Sequence, residues 1–290
     1  MIVFSSDETV SSVKRMWKTC FGDSDLYIDL RFKEKYKDEN TLIYIHEGSI
    51  VSSLHMTPYT MTFYGEEISI YYIEGLSTLP EYRGRGYMGK LIGKAHEIAS
   101  ERQIPLTVLV PAEDSLFGYY GKYGYGQIAD KGSEDIGLKN ILNNTANIEQ
   151  AYRFFNDKCR TEDFCIQKSW EDFHTIVSDY EADGRPEKFN LAAMGRIINV
   201  SPLLNLFAHK NPDTSITLVI DDPDIAANTG AYEIRNGKCL KIDTINFKPD
   251  FVLDTALLCG LLFGYKINEM GLEYRNIFQT HHPIINLMLE

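Results

Sequence analysis

Cysteine is sparse and unpatterned in this chain. Cys20, Cys159, Cys165, Cys239 and Cys259 are scattered over 290 residues, with no Cys-x-x-Cys pair among them. That excludes a disulfide framework and the usual spacing of a zinc site, and leaves buried reduced thiols. Long hydrophobic runs are missing too. The longest, Thr255 to Tyr265, falls short of the ~20 apolar residues that span a bilayer. Met1 leads into Ile2-Val3-Phe4 and then polar residues, with no basic segment ahead of an apolar stretch. No secretory signal is expected, and the default compartment is the cytoplasm. Positive charge is the scarcer sign: 29 Lys and Arg stand against 41 Asp and Glu, a net charge of −12. Such a surface repels phosphate backbones and anionic lipid, so neither nucleic acid nor membrane is expected as a partner. No metal is expected either. His281 and His282 have no Glu or Cys at ligand spacing, and His55 and His96 fall inside an expected strand and helix.

What remains is a globular composition, 44% hydrophobic and 24% charged. At ~150 residues per domain the length suggests two domains. Helical spacing of Val13, Met16, Trp17 and Cys20 ends at Gly22-Asp23. Strands are expected at Thr41 to His46, at Ile50 to Thr62 with an interruption at Pro58, and at Ile68 to Leu76, an apolar run suited to a strand covered on both faces. Offsets of three and four from Met88 to Ile98 mark an amphipathic helix. A strand follows at Pro105 to Val110, a short helix at Ser115 to Lys122 and a strand at Tyr125 to Ala129. Residues 131–185 read as a helical connection closed by Ala182-Asp183-Gly184-Arg185-Pro186. Beyond it come a strand at Met194 to Asn199, a helix at Pro202 to Phe207, a strand at Ser215 to Asp221 and a hairpin at Asn236-Gly237. Asp250 is placed to cap an apolar helix over Phe251 to Phe263. The order is that of an α/β (α+β) protein: a mixed sheet flanked by helices in residues 1–130, a connecting segment 131–185 and a smaller α+β unit 186–290.

The stretch that carries chemistry runs from Ile73 to Gly89. A strand enters the loop Glu81-Tyr82-Arg83-Gly84-Arg85-Gly86, which opens the helix beginning at Tyr87-Met88-Gly89. Glycines let a backbone approach a ligand closely. Free amides at a helix start form an anion site, and Arg83 and Arg85 add donors suited to phosphate. The Gly-Lys-Ser/Thr of a nucleoside triphosphate loop is absent, and a dinucleotide loop follows the first strand of a parallel unit rather than hairpin-linked strands. This favours the diphosphate of coenzyme A. Glu74, on the entering strand amid apolar residues, is a candidate general base whose pKa burial would raise.

Arg83 to Met88 resembles the acyl-CoA loop, Gln/Arg-x-x-Gly-x-Gly/Ala, of the Gcn5-related N-acetyltransferases (GNAT). It departs from the pattern at Met88, where a small residue is usual. A bulky residue there is similar to the branch around the mycobacterial enhanced-intracellular-survival protein. Ser115-Leu116-Phe117-Gly118-Tyr119-Tyr120-Gly121-Lys122-Tyr123-Gly124-Tyr125 resembles a second segment of that branch. The resemblance implies transfer of an acetyl group from acetyl-CoA, as co-substrate, to the primary amine of a small-molecule acceptor. It implies that Leu76 and Thr78, with Ser77 between them, pair with the pantetheine arm. The amides of Arg83, Gly84, Arg85, Gly86, Tyr87, Met88 and Gly89 would hold the diphosphate, Ser115 would contact the coenzyme, and Tyr120 would protonate the leaving thiolate. It offers Glu290, through the terminal carboxylate, as a second candidate for receiving the amine proton.

The segment Pro249 to Gly264 is similar to the last helices of sterol-carrier-like domains, which implies that fold rather than lipid carriage. That branch usually has a second acetyltransferase-like domain, for which residues 131–185 are too few. The rival reading is a non-catalytic protein that binds acyl-CoA or an apolar ligand. The acceptor and homo-oligomer formation stay open.

Overall fold

The computed structural model describes residues 1–133, 135–243 and 248–288. It has a large mixed sheet flanked by helices and a second, four-stranded sheet. The first sheet has seven strands in the order β1-β2-β3-β4-β5-β7-β6. Its first four strands, β1 (Ile2–Phe4), β2 (Thr41–His46), β3 (Ser49–Phe63) and β4 (Glu66–Thr78), are antiparallel. The chain then crosses through α3 (Tyr87–Glu101) to β5 (Leu106–Leu109), which lies parallel to β4. After α4 (Ser115–Gly121) the edge strand β6 (Gly126–Ala129) leaves a gap beside β5. That gap is filled from far downstream by β7 (Ala193–Ile197), antiparallel to both neighbours.

β7 lies beyond the break expected near residue 186, yet it is a full member of the first sheet. Nothing in Ala193-Met194-Gly195-Arg196-Ile197 marks which sheet the strand joins. β3 runs unbroken through Pro58. Its outer neighbour changes there, from β2, last paired at His55, to residues 164–167, whose Gln167 amide donates to Thr60 O at 2.9 Å. A missing N–H is tolerated at such a changeover.

Alternation in β4 separates two cores, as its apolar run requires. Tyr71 and Ile73 meet Leu91, Ile92, Ala95 and Ile98 of α3 on one face. Ile70 and Tyr72 belong to a larger core shared with the C-terminal half. The helices α1 (Val10–Phe21) and α2 (Asp25–Glu34) cover the rest of that second face through Val13, Trp17, Ile28 and Phe32. Three helices, α5 (Leu138–Asn143), α6 (Ile148–Thr161) and α7 (Trp170–Ala182), make up most of the connecting segment around a small core of their own.

The second sheet has the order β10-β9-β8-β11. After α8 (Val200–Lys210) come β8 (Ile216–Asp221), β9 (Gly230–Arg235) and β10 (Lys238–Ile242), the last two joined by the Asn236-Gly237 turn. The apolar run after Asp250 departs from expectation. Its first residues form β11 (Phe251–Asp254), parallel to β8, and only then does α9 (Thr255–Leu262) begin. Asp254 is the cap, accepting from Leu257 N at 2.7 Å, while Asp250 accepts from Thr217 N. A continuous apolar run carries no periodicity to separate strand from helix. A short helix, α10 (Leu272–Arg275), precedes the C-terminal segment. No described helix is long and apolar enough to cross a membrane.

His55 and His96 are both buried, and burial lowers each pKa to about 3, with the Arg31 charge adding to the effect at His55 and the Arg196 charge at His96. In the unfolded chain both protonate near pH 6.5. Their contribution is therefore complete above that pH and is lost as pH falls toward 3. At pH 5.5 each should lower stability by about 1 kcal/mol relative to pH 7.5. Urea midpoints at the two pH values check this, with His96→Gln flattening part of the slope.

Candidate active site

The site begins where β4 loses one neighbour. β4 pairs with β3 from Glu66 to Thr78, but with β5 only at Ile70, Tyr71 and Tyr72. Beyond Tyr72 the two parallel strands part, and the β5-facing edge of β4 is left open. The β3 register also slips there. Ser53 faces Ser77 and His55 faces Glu74, so Leu54 alone opposes Gly75 and Leu76. That is a β-bulge, which bends a strand and re-aims its side chains. Gly75 adopts φ +58°, and a Cβ there would run into the Trp17 indole and the His55 ring. Only glycine meets both conditions.

Two adjoining cavities occupy the gap. One, of about 680 Å³, is lined by Leu76, Ser77, Thr78, Arg83, Gly84, Gly86, Tyr87 and Met88 among others. The second, of about 340 Å³, has Trp17, Asp23, Tyr27 and Glu74 on its wall. Phe21, Leu76, Ala112, Leu116 and Tyr120 line both. The structure thus gathers most of the expected coenzyme residues in one cleft and places Tyr120 where it meets the next.

Within the larger cavity, Gly86 caps α3 in the left-handed region with φ +77° and offers no side chain to the helix start. The first-turn amides of Tyr87, Met88 and Gly89 therefore have no intrahelical acceptor and can bind an anion. Arg83 folds back, its Nε donating to Thr78 O at 3.1 Å, and Cys20 Sγ reaches the same carbonyl at 3.5 Å. Arg85 donates to Glu81 O at 3.1 Å and lies over the Tyr82 ring. Ser77 Oγ is buried against Ser53 Oγ at 3.0 Å, so any strand-like pairing at Ser77 rests on its main chain. Arg85, Gly89 and Ser115 do not line this cleft. Ser115 is exposed and donates to Glu113 Oε1 at 2.7 Å, and it is Glu113 that lines the wall.

Tyr120 is 6% exposed, and burial pushes its phenol up to about 12. It keeps its proton through the neutral range and is a proton donor there. Glu74 is also buried, but not alone. Arg31 forms an ion pair with it and Thr57 Oγ1 donates to it. The apolar run around Glu74 hides both partners, which come from α2 and β3. Glu290 lies outside the described residues. Asp23 was legible only as a helix break, yet it faces the smaller cavity and accepts from Trp17 Nε1 at 2.7 Å. The left-handed C-cap at Gly22 turns the chain there, and the reach of a carboxylate after such a turn has no signal in spacing. Among the described residues, no three His, Cys, Asp or Glu side chains gather as a metal site.

Residues 3–128 match the model of the acetyltransferase (GNAT) domain. Along its whole length the fold is similar to three solved structures. A GCN5-related N-acetyltransferase from Anabaena variabilis aligns over 98% of each chain at 17% identity and a TM-score of 0.73. A probable N-acyltransferase from Enterococcus faecalis aligns over 98% of each chain at 13% identity and a TM-score of 0.70. Eis1 from Mycobacterium abscessus aligns over 98% of this chain and 100% of its own at 11% identity and a TM-score of 0.64. At these identities the likeness is one of fold. No curated protein matches the chain.

The bulge in β4 makes a sharp demand. Gly75→Ala combines a left-handed backbone with a collision and should destabilise by more than about 1 kcal/mol. Gly93→Ala, on the exposed face of α3 with open space around it, should be neutral or stabilising by up to about 1 kcal/mol. Urea titration of both variants tests the contrast.

Proposed function

We propose that the protein transfers an acetyl group from acetyl-CoA to the primary amine of a small molecule. The observation that carries this reading is the position of Tyr120, shared by the glycine-bounded cavity at the start of α3 and the carboxylate-lined cavity beside it. The first has the open amides for a diphosphate and the bare β4 edge for a pantetheine chain to lie along. The second holds Asp23 and no Lys or Arg on its wall, which suits an amine that arrives as a cation.

The amine nitrogen attacks the thioester carbonyl once its proton has left. A C–N bond forms, the C–S bond breaks, and Tyr120 gives its proton to the departing thiolate, regaining one from solvent. Glu74 is one candidate for the amine proton. With Arg31 and Thr57 already on it, Glu74 acts through solvent rather than as an isolated base. Glu290 is the other. Leu76 and Thr78, with Ser77 between them, are assigned to the pantetheine arm, the amides of residues 83–89 to the diphosphate, and Ser115, exposed beside the wall residue Glu113, to a coenzyme contact. With β7 taken up by the first sheet, we read the remainder of residues 186–290, from α8 onward, as the sterol-carrier-like unit, and the cytoplasm as the site of action.

Calorimetry with acetyl-CoA should show 1:1 binding, and absence of binding at high micromolar ligand rejects the reading. Free thiol should then accumulate only when an amine from a panel is supplied; binding without thiol release makes the protein a non-catalytic acyl-CoA binder. Tyr120→Phe should retain binding and lower kcat by ~10²-fold or more. Unchanged turnover removes Tyr120 from the mechanism.

A further inference from the structure

The start of α3 is reached by a side chain from outside the loop. Gly89 is the third residue of the helix, and a Cβ on it would land on the Tyr123 phenol oxygen. The hydroxyl therefore occupies the space that a side chain at residue 89 would take, beside the first-turn amides. Tyr123 also lines the larger cavity together with Arg83, Gly86 and Met88. It follows α4 in a tight turn, its amide donating to Tyr120 O at 2.9 Å. The Tyr119 ring meets it edge-on at 5.4 Å, and burial together with a hydrogen bond to Tyr123 pushes the Tyr119 phenol up.

We propose that the Tyr123 hydroxyl is a binding residue for the coenzyme diphosphate, reaching it across Gly89 and completing the donor set of the Tyr87, Met88 and Gly89 amides. The inference rests on the acetyl-CoA reading and adds a residue to it. The recognised chemistry is a phosphate ester, and coenzyme A carries two kinds, the diphosphate and the 3′-phosphate.

The experiment compares wild type with Tyr123→Phe, using calorimetry with coenzyme A and 3′-dephospho-coenzyme A, and turnover with acetyl-CoA and S-acetylpantetheine. A hydrogen bond to a charged group predicts a loss of about 10-fold in affinity for both coenzymes. KM for acetyl-CoA should rise with kcat unchanged, and kcat/KM for S-acetylpantetheine, which lacks the diphosphate, should not move. Gly89→Ala, which drives the phenol off the helix, should reproduce the loss in wild type and add little in the Tyr123→Phe background. Equal coenzyme affinities in wild type and Tyr123→Phe overturn the proposal. So does a loss that extends equally to S-acetylpantetheine, which makes Tyr123 a packing residue, and so does a loss confined to the 3′-phosphorylated form. If wild type binds neither coenzyme, the acetyltransferase reading falls first and this inference with it.

Discussion

The site depends on β4 having one neighbour too few. A strand buried in a sheet satisfies its amides and carbonyls on both edges, and burial penalises any that are left unpaired. β4 does so only as far as Tyr72, where β5 parts from it. The Gly75 bulge then bends the strand while it stays paired with β3 to its end. The result is an open edge held rigid from behind, which is what an extended polar chain needs in order to pair with a strand. Trp17 and His55 pack against Gly75 so closely that no side chain fits, so the bend is fixed by packing as well as by backbone preference. The α3 amides and Tyr120 become a site only because this gap lies between them.

Much of this is legible in the sequence. The continuous apolar run and the helical spacing that follows it locate β4, its loop and α3, and the glycines and arginines between them mark an anion site. Local chemistry suffices there because the loop and its helix are contiguous in sequence. The run after Asp250 was misjudged because a uniformly apolar segment has no period, and Asp254 rather than Asp250 proved to be the cap. β7 was placed in the wrong neighbourhood for a different reason. A strand of five residues, all buried, carries no information about which sheet edge it completes. Asp23 and Tyr123 were passed over because each reaches the site through a turn, and side-chain reach after a turn is a tertiary property.

Charge is divided unevenly between the two carboxylates beside Tyr120. Glu74 is matched inside the protein by Arg31, with 4% and 8% of the two residues exposed. Such a pair is neutral overall, and removing one partner strands a buried charge, which destabilises by about 3–5 kcal/mol. Asp23 accepts from the neutral indole N–H of Trp17. The field that an incoming cation meets in the smaller cavity therefore comes mainly from Asp23, while Glu74 and Arg31 act as a fixed dipole behind it. A single partly exposed carboxylate can attract an ammonium group without holding it in a deep ion pair, which suits the amine proposed above as acceptor.

The C-terminal half enters this arrangement through one buried side chain. Arg196 of β7 is fully buried, pairs with Asp222 at 2.7 Å and donates to Thr255 at the start of α9. Its guanidinium lies directly against Gly124, in the turn that also holds Tyr120 and Tyr123. β7 in turn sits between β5 and β6, the two strands that α4 connects. The position of Tyr120 is therefore set on one side by the open end of β4 and on the other by a strand and an ion pair supplied by residues 193–255. A chain cut off after β6 would lack the strand that joins β5 to β6 and would expose the core that β4 shares with α9. The sequence match ends at residue 128, but the physical unit that holds Tyr120 in place does not.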